Sequence, residues 1–209
     1  MYRVFCIPVG YLRVNCYLLS DPDSGDAYII DPGDEPERIA DMAAEQGASV
    51  RGILITHAHF DHIGAAEALS DLYGCPVYVT AEEARSASEH PVYERMMKRF
   101  YQSFLRAFEK HGSPISEGDV LPLGKGRISV LSVPGHSVSG TCFYCAEEGL
   151  LFSGDTLFAG ACGREDFYLD AYGGRSVLRE NIARKLLVLP PETRVFPGHG
   201  EPTAVGAEQ

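Results

Sequence analysis

Nowhere in this 209-residue chain do apolar residues run on for the ~18 positions a membrane-spanning helix needs, so no membrane partner is expected. The opening residues, MYRVFCIPVG, lack both the basic start and the long apolar stretch of a secretory signal, which predicts a cytoplasmic location. Positive charge is scarce as well. Lys and Arg number 18 against 29 Asp and Glu, a formal net charge of −11. A field of that sign repels phosphate backbones, so no nucleic-acid partner is expected without a strong local basic patch. Low-complexity tracts, internal repeats and convincing interdomain linkers are missing too. The length then predicts a single domain over 1–209, long enough to bury a sizeable core. Its 45% apolar and 22% charged residues are those of an ordinary soluble globular protein.

Cysteine is present but scattered, at positions 6, 16, 75, 142, 145 and 162. Without a secretory signal these read as buried free thiols rather than disulfides. Cys142 and Cys145 form a CxxC inside the apolar run GTCFYCA. On a strand, residues three apart point to opposite faces, which rules out joint metal ligation.

What the chain does have is clear periodicity. YRVFCIPV, VNCYLLS and AYIID read as strands, the last two joined by the turn-rich DPDSGD. DPGDEPERIADMAAEQG reads as loop and helix, with Pro36 near the helix start and Gly47 as its stop. RGILIT suits a buried strand, IGAAEALSDLYG a helix closed by Gly74, and CPVYVT another strand. Residues 91 to 110 carry the strongest helical periodicity. Val92, Tyr93, Met96, Met97, Phe100, Tyr101, Phe104, Leu105 and Phe108 make one apolar stripe there. Strands are expected near 126–134, 140–146 and 150–153, then a helix over SVLRENIARKLLVL and a short strand TRVFP. That order suggests two half-units of similar construction, two sheets face to face with helices outside.

Three of the chain's seven histidines fall, with an aspartate, inside THAHFDH at residues 56 to 62. His136 recurs in SVPGHSVSG, His199 in VFPGHGEPT, and Asp155 in LFSGDTLF. Each ends an apolar run beside glycine or proline, at a strand-to-loop junction where rigid scaffolds build sites. One such histidine is more often a hydrogen-bonded loop residue than a ligand. Four such places in one chain point to a metal site. His57, His59, Asp61 and His62 supply the imidazoles and carboxylate that suit zinc. His57 and His59, two apart in an extended segment, can face one metal. Asp61 and His62, entering the next helix, can turn toward a second, with His136, Asp155 and His199 available to complete the shells. His90 and His111, flanking the amphipathic helix, read as surface or helix-end residues.

With these motifs the chain resembles the metallo-β-lactamase superfamily, and within it the glyoxalase II-type, hydroxyacylglutathione hydrolase-like enzymes. THAHFDH, SVPGHSVSG, FSGDTLFAGACGRED and FPGHGEPT carry the resemblance, with NCYLL at Asn15 to Leu19 and IDPG at 30 to 33. It implies an α/β fold, the αββα four-layer sandwich, with the site at one edge of the two sheets. It also implies that His57, His59 and His136 bind one divalent metal ion, that Asp61, His62 and His199 bind a second, and that Asp155 bridges them. Zinc is the expected metal, with iron and manganese as alternatives. The chain is expected to lack the C-terminal helical domain with which long glyoxalase II enzymes hold glutathione, as the short members do.

Water shared between two divalent cations loses its proton near neutral pH and becomes a strong nucleophile. Asp61 can accept its hydrogen bond while ligating. A thiolate needs little acid help to leave, since a free thiol has a pKa of only ~8.5. The expected activity is hydrolysis of small-molecule thioesters of the S-acylglutathione type, with esters and lactones chemically open. The alternative on this fold is a mononuclear iron persulfide dioxygenase, for which His57, His136 and Asp155 could supply two histidines and a carboxylate. GRED at 163 to 166 fits both branches, and GDTLF favours the hydrolases. Arg164 resembles a substrate-side basic position of the glyoxalase II pattern. The competing reading is a surface arginine paired with Glu165 or Asp166. The polar face of the 91–110 helix carries Arg95, Lys98, Arg99, Arg106 and Lys110 against Glu94 and Glu109. That helix is expected to line or cover the substrate cleft. The alternatives are plain docking on the core and a homodimer interface.

Overall fold

The computed structural model describes residues 1–89, 97–166 and 177–209. The first half of the chain builds a six-stranded mixed sheet whose strands lie side by side in chain order. They are β1 (Arg3–Val9), β2 (Val14–Ser20), β3 (Asp26–Ile30), β4 (Ser49–Leu54), β5 (Val77–Val79) and β6 (Gly112–Pro114). The second half builds another from β7 (Val120–Leu123), β8 (Gly126–Ser132), β9 (Thr141–Cys145), β10 (Leu150–Gly154), β13 (Arg194–Pro197) and β14 (Thr203–Ala204). Its order is β14-β13-β10-β9-β8-β7. A short hairpin, β11 (Leu157–Phe158) and β12 (Ala161–Cys162), leads out of β10.

Alternation along the strands decides the layers. Cys16 and Leu18 of β2, with Ala27 and Ile29 of β3, face outward into a core shared with helices. Tyr17, Leu19, Tyr28 and Ile30 face inward, onto Ile128, Val130, Phe143, Leu150 and Phe152 of the second sheet. Both faces of β2 are therefore covered, and every residue in it is buried. The outer face of the first sheet carries α1 (Pro36–Glu45), α3 (Ala66–Tyr73), α4 (Ala81–Glu89) and α5 (Lys98–His111) through Ile39, Met42, Leu69, Ala84 and Phe104. On the far side α6 (Leu178–Lys185) lays Leu178 and Ile182 on Cys142, Leu151 and Val195. The result is the expected αββα sandwich. Cys142 packs toward α6 and Cys145 toward the inter-sheet core, so the CxxC is split between two layers.

Several expectations need correction. The helix predicted over 63–74 begins only at Ala66, and a separate turn, α2 (Phe60–Ile63), precedes it. The break follows from a competing bond: the Ala65 N–H donates to Pro32 O at 2.9 Å, tying the chain to the end of β3. Helix α4 and the short strand β6 have no counterpart in the sequence reading. The buried face of α4 is only Ala84 and Ala87 with Glu83, too weak an apolar stripe to see. All six cysteines are free, and four are buried, but Cys6 is exposed and Cys162 half-buried. Of the 91–110 helix, residues 91–96 lie outside the described residues, as does His90. The remainder is α5, which buries Tyr101, Phe104 and Ala107 within the chain.

Strand direction gathers the site. β3, β4 and β5 run parallel in the first sheet, and β10 and β13 run parallel in the second. The loops after β3, β4, β10 and β13 therefore leave along shared edges. Two sequence-local residues fasten the edges together. Asn15 Nδ2 donates to Pro197 O at 3.0 Å and Gly200 O at 2.9 Å, and the Tyr17 hydroxyl donates to Pro197 O at 2.6 Å. The NCYLL segment thus holds the loop that carries His199.

Candidate metal centre

All seven residues singled out as ligands converge at this edge. His57 lies three residues past the end of β4, and its Nε2 lies 2.9 Å from Nδ1 of His59. His136, from the loop between β8 and β9, places its ring 4.9 Å from that of His57 and 4.8 Å from that of His59. A second group forms alongside. Asp61 Oδ2 is 3.2 Å from His199 Nε2 and 3.8 Å from His62 Nε2. Asp155, at the end of β10, stands between the groups. Its Oδ1 is 3.5 Å from His62 Nε2, while Oδ2 is 3.6 Å from His136 Nε2 and 3.7 Å from His199 Nε2.

These separations suit donors around a shared ion better than donors bonded to one another. Two ligand atoms at ~2.1 Å from a tetrahedral zinc lie about 3.4 Å apart. His62 Nε2 and Asp155 Oδ1 are buried and make no hydrogen bond among the described residues. Leaving a polar atom so costs roughly 1–3 kcal/mol, which a cation between them would relieve. His57, His59 and His136 form one group that could hold a metal ion, and Asp61, His62 and His199 another.

The electrostatics favour ligand forms in the first group. Burial, reinforced by neighbouring imidazoles, pushes His57 well down and His59 down to about 3. Burial also lowers His136. Neutral imidazole is the form that binds metal. Around the second group burial is outweighed by opposite charge. Asp155, Asp31 and Asp61 drive His62 up, and Asp61 does the same for His199. In return His62 and His199 hold Asp61 and Asp155 below the usual carboxylate range against their burial.

A second layer aims the rings, and the sequence reading missed most of it. Asp31, in IDPG, is 2% exposed and sits at φ 50°. Its Oδ1 accepts the Thr56 N–H at 2.8 Å, and its Oδ2 accepts the Thr56 hydroxyl at 2.7 Å and faces His62 Nδ1 at 2.9 Å. His136 Nδ1 donates to Arg164 O at 3.0 Å, since a carbonyl only accepts, which leaves Nε2 toward the cluster. Glu83 of α4 is buried at 1% exposure. Its Oε2 accepts the Ala58 N–H at 2.9 Å, between His57 and His59, and its Oε1 accepts the Ser139 N–H at 2.7 Å in the His136 loop. Nothing in TAEEARSA marks Glu83 apart from Glu82. Glycine permits the close packing: a Cβ on Gly163 would lie 2.7 Å from His136 Nδ1, and one on Gly198 2.7 Å from His62 Cε1.

A cavity of about 340 Å³ opens over the cluster, walled by Leu12, Phe60, Tyr101, Phe158, Cys162 and Arg164. Arg164 reaches the wall, but its exposed guanidinium is forked onto Asp166 at 3.0 and 2.6 Å. Glu165 pairs with Arg179 instead, at 2.8 Å. The start of α5 lies at the cleft through Tyr101, as expected of that helix, while its far end docks on the core. Its basic residues divide accordingly. Arg106 pairs with Glu67 and Lys110 with Asp71, both on α3, and His111 at the helix end shares Asp71.

Comparison with known proteins adds the following. The family model described as the Metallo-beta-lactamase superfamily matches residues 9–199. The chain is 34% identical to the hydroxyacylglutathione hydrolase GloC of Haemophilus influenzae, over 97% of this chain and 93% of that one. Among solved structures it is similar to the BLEG-1 B3 metallo-beta-lactamase, with TM-score 0.81 and 31% identity over 99% and 96% of the two chains. It is also similar to TTHA1623 in a di-iron-bound form, with TM-score 0.77 and 35% identity over 98% and 96%.

Proposed function

The chain belongs to the metallo-beta-lactamase superfamily, and on that premise we propose that it is a binuclear metal-dependent hydrolase of small thioesters of the S-acylglutathione type. The observation that carries the reading is the position of Asp155, within 3.5 to 3.7 Å of ring nitrogens from both histidine groups. His57, His59 and His136 would hold one divalent cation, Asp61, His62 and His199 the other, and Asp155 both. Two such cations would acidify a water molecule and polarise a carbonyl. The donor set of imidazoles and carboxylates favours zinc. Residues 1–209 would act as one catalytic unit.

The chain's own groups set up the rest. Asp61, held ionised, accepts a hydrogen bond from the attacking water and orients its lone pair toward the cavity. Asp31, Thr56 and the Arg164 carbonyl keep the ring Nδ1 atoms of His62, His57 and His136 engaged, so that their Nε2 atoms face inward. Leu12, Phe60 and Phe158 exclude bulk water from the carbonyl. A thiolate leaving group needs little acid help, and the thioester finds support in the similarity to the Haemophilus hydrolase.

A mononuclear persulfide dioxygenase would leave Asp61, His62 and His199 without a task, so the binuclear reading is preferred. The test pairs metal analysis of the purified protein, iron and manganese included, with three assays: S-acylglutathione cleavage, oxygen uptake on a persulfide, and β-lactam opening. Two metals with thioester cleavage support the proposal. One iron with oxygen uptake, or cleavage of lactams alone, overturns it.

A further inference from the structure

We propose that a second cavity beside the metal centre is the subsite for an uncharged, apolar acyl group, so that the preferred substrates are esters or thioesters of aromatic or medium-chain carboxylic acids. The proposal rests on the hydrolase reading above and adds to it which part of the substrate goes where. This cavity, about 490 Å³, lies between the β1–β2 turn and the start of α5. That volume is within the ~300–1,000 Å³ of small-molecule pockets. It adjoins the cavity over the metal cluster: Leu12, Phe60 and Asp61 line both. A carbonyl held at the cluster can therefore send one substituent into each.

The walls say which substituent enters here. Tyr11 and Leu12 at the turn are 99% and 46% exposed, so no core contact accounts for two large apolar side chains there. Across from them stand Met97 and Phe100, with Phe60 beside Phe100 at 6.0 Å between ring centroids. The Arg99 guanidinium lies over the Phe100 ring at 4.6 Å and closes that side. Gly10 and Gly33 line the cavity with backbone alone, and a Cβ on Gly33 would lie 1.6 Å from Asp61 O, so the chain can approach Asp61 there only as glycine. The charged groups on the wall are Arg99, Asp34 and Asp61, and with Asp61 committed to the metal, Asp34 stands against Arg99. That balance offers no net charge to hold an anionic acyl group, while the apolar side chains on the wall suit a neutral one. The thiol or alcohol portion is then left to the other cavity, on the Arg164 side.

Two measurements on the metal-loaded protein test this. The first is kcat/KM for 4-nitrophenyl acetate, butanoate, hexanoate and octanoate. The second, which needs no turnover, is calorimetric binding of the four free carboxylates. Both series are expected to rise by up to about fourfold per methylene. Leu12→Ser, at an exposed turn that tolerates it, and Phe100→Ser should flatten the rise, the octanoyl member losing most and the acetyl member least. A flat binding series in the wild type, or a rise that Leu12→Ser and Phe100→Ser both leave intact, overturns the subsite. Chain-length-dependent binding abolished by Leu12→Ser, with no ester or thioester cleaved, upholds the subsite and removes the hydrolase reading instead.

Discussion

Glu83 Oε2 receives the backbone N–H of Ala58 at 2.9 Å, so one buried carboxylate on α4 grips the peptide between His57 and His59. Its other oxygen holds Ser139 at 2.7 Å, in the loop that presents His136. The segments that carry the three imidazoles of the first group thus share one anchor, held through backbone N–H groups. Glu83→Gln puts an amide NH₂ against one of those N–H donors. The expected cost is roughly 1–3 kcal/mol of stability and about a 10- to 100-fold loss of metal affinity. Metal titration followed separately from thermal unfolding checks it. A variant that melts earlier but binds metal as tightly as wild type would assign Glu83 to the scaffold alone.

Asp155 and Asp61 should separate cleanly. Asp155→Ala removes the oxygen facing both groups, and it is expected to lower metal content at both positions and abolish nearly all turnover. Asp61→Asn exchanges one carboxylate for a neutral amide beside His199 and is expected to spare the fold while weakening only the second metal. Metal stoichiometry in the two variants decides. Two full equivalents in Asp155→Ala would contradict a bridging position.

Arg164 is forked onto Asp166 in the structure, and the substrate-side position that the resemblance implies would instead turn it to a carboxylate of an acidic substrate. Exchanging an exposed ion pair for a substrate contact costs little, since such pairs are worth about 0–1 kcal/mol. If the exchange occurs, Arg164→Ala raises KM more than it lowers kcat for acidic thioesters. Steady-state kinetics with acidic and neutral thioesters reads this out, and an unchanged KM for every acidic substrate leaves Arg164 as Asp166's partner.

The pair that fastens α5 to α3 carries a pH dependence. Arg106 donates to both oxygens of Glu67, at 2.6 and 2.7 Å, and Ser103 adds a third bond at 2.7 Å. The Arg106 bond holds Glu67 below the usual carboxylate range, against a smaller opposing effect of burial. With the folded value depressed, the stabilisation is fully present above the ordinary glutamate pKa of about 4.3 and is lost as pH falls through the folded value. A double-mutant cycle of Glu67→Gln and Arg106→Gln should give a small favourable coupling at pH 7, of the size that exposed ion pairs show. Urea unfolding repeated below that range should show the coupling gone. Coupling that persists in acid would mean the contact does not depend on the Glu67 charge.

What was legible in the sequence was what local pattern can encode. The seven candidate donors stand out because four crowd into THAHFDH behind an apolar run, while His136, Asp155 and His199 each end an apolar run beside glycine, and all seven meet at the sheet edge. The alternation of VNCYLLS showed a strand, and its burial on both faces shows why that alternation carried no polar side. Long-range partners left no such trace. Glu83 meets Ala58 and Ser139 across 25 and 56 residues, and Asp31 meets His62 across 31.

Sequence alone therefore picked out the seven candidate donors and the layered class, because ligand chemistry and hydrophobic period are properties of residue type and spacing. Tertiary structure alone decided which donors face one another, which carboxylates aim the rings, and that Tyr11 and Leu12 wall a cavity with Met97 and Phe100. Those relations depend on how parallel strands bring distant loops to one edge, and a chain read in order contains no measure of that distance.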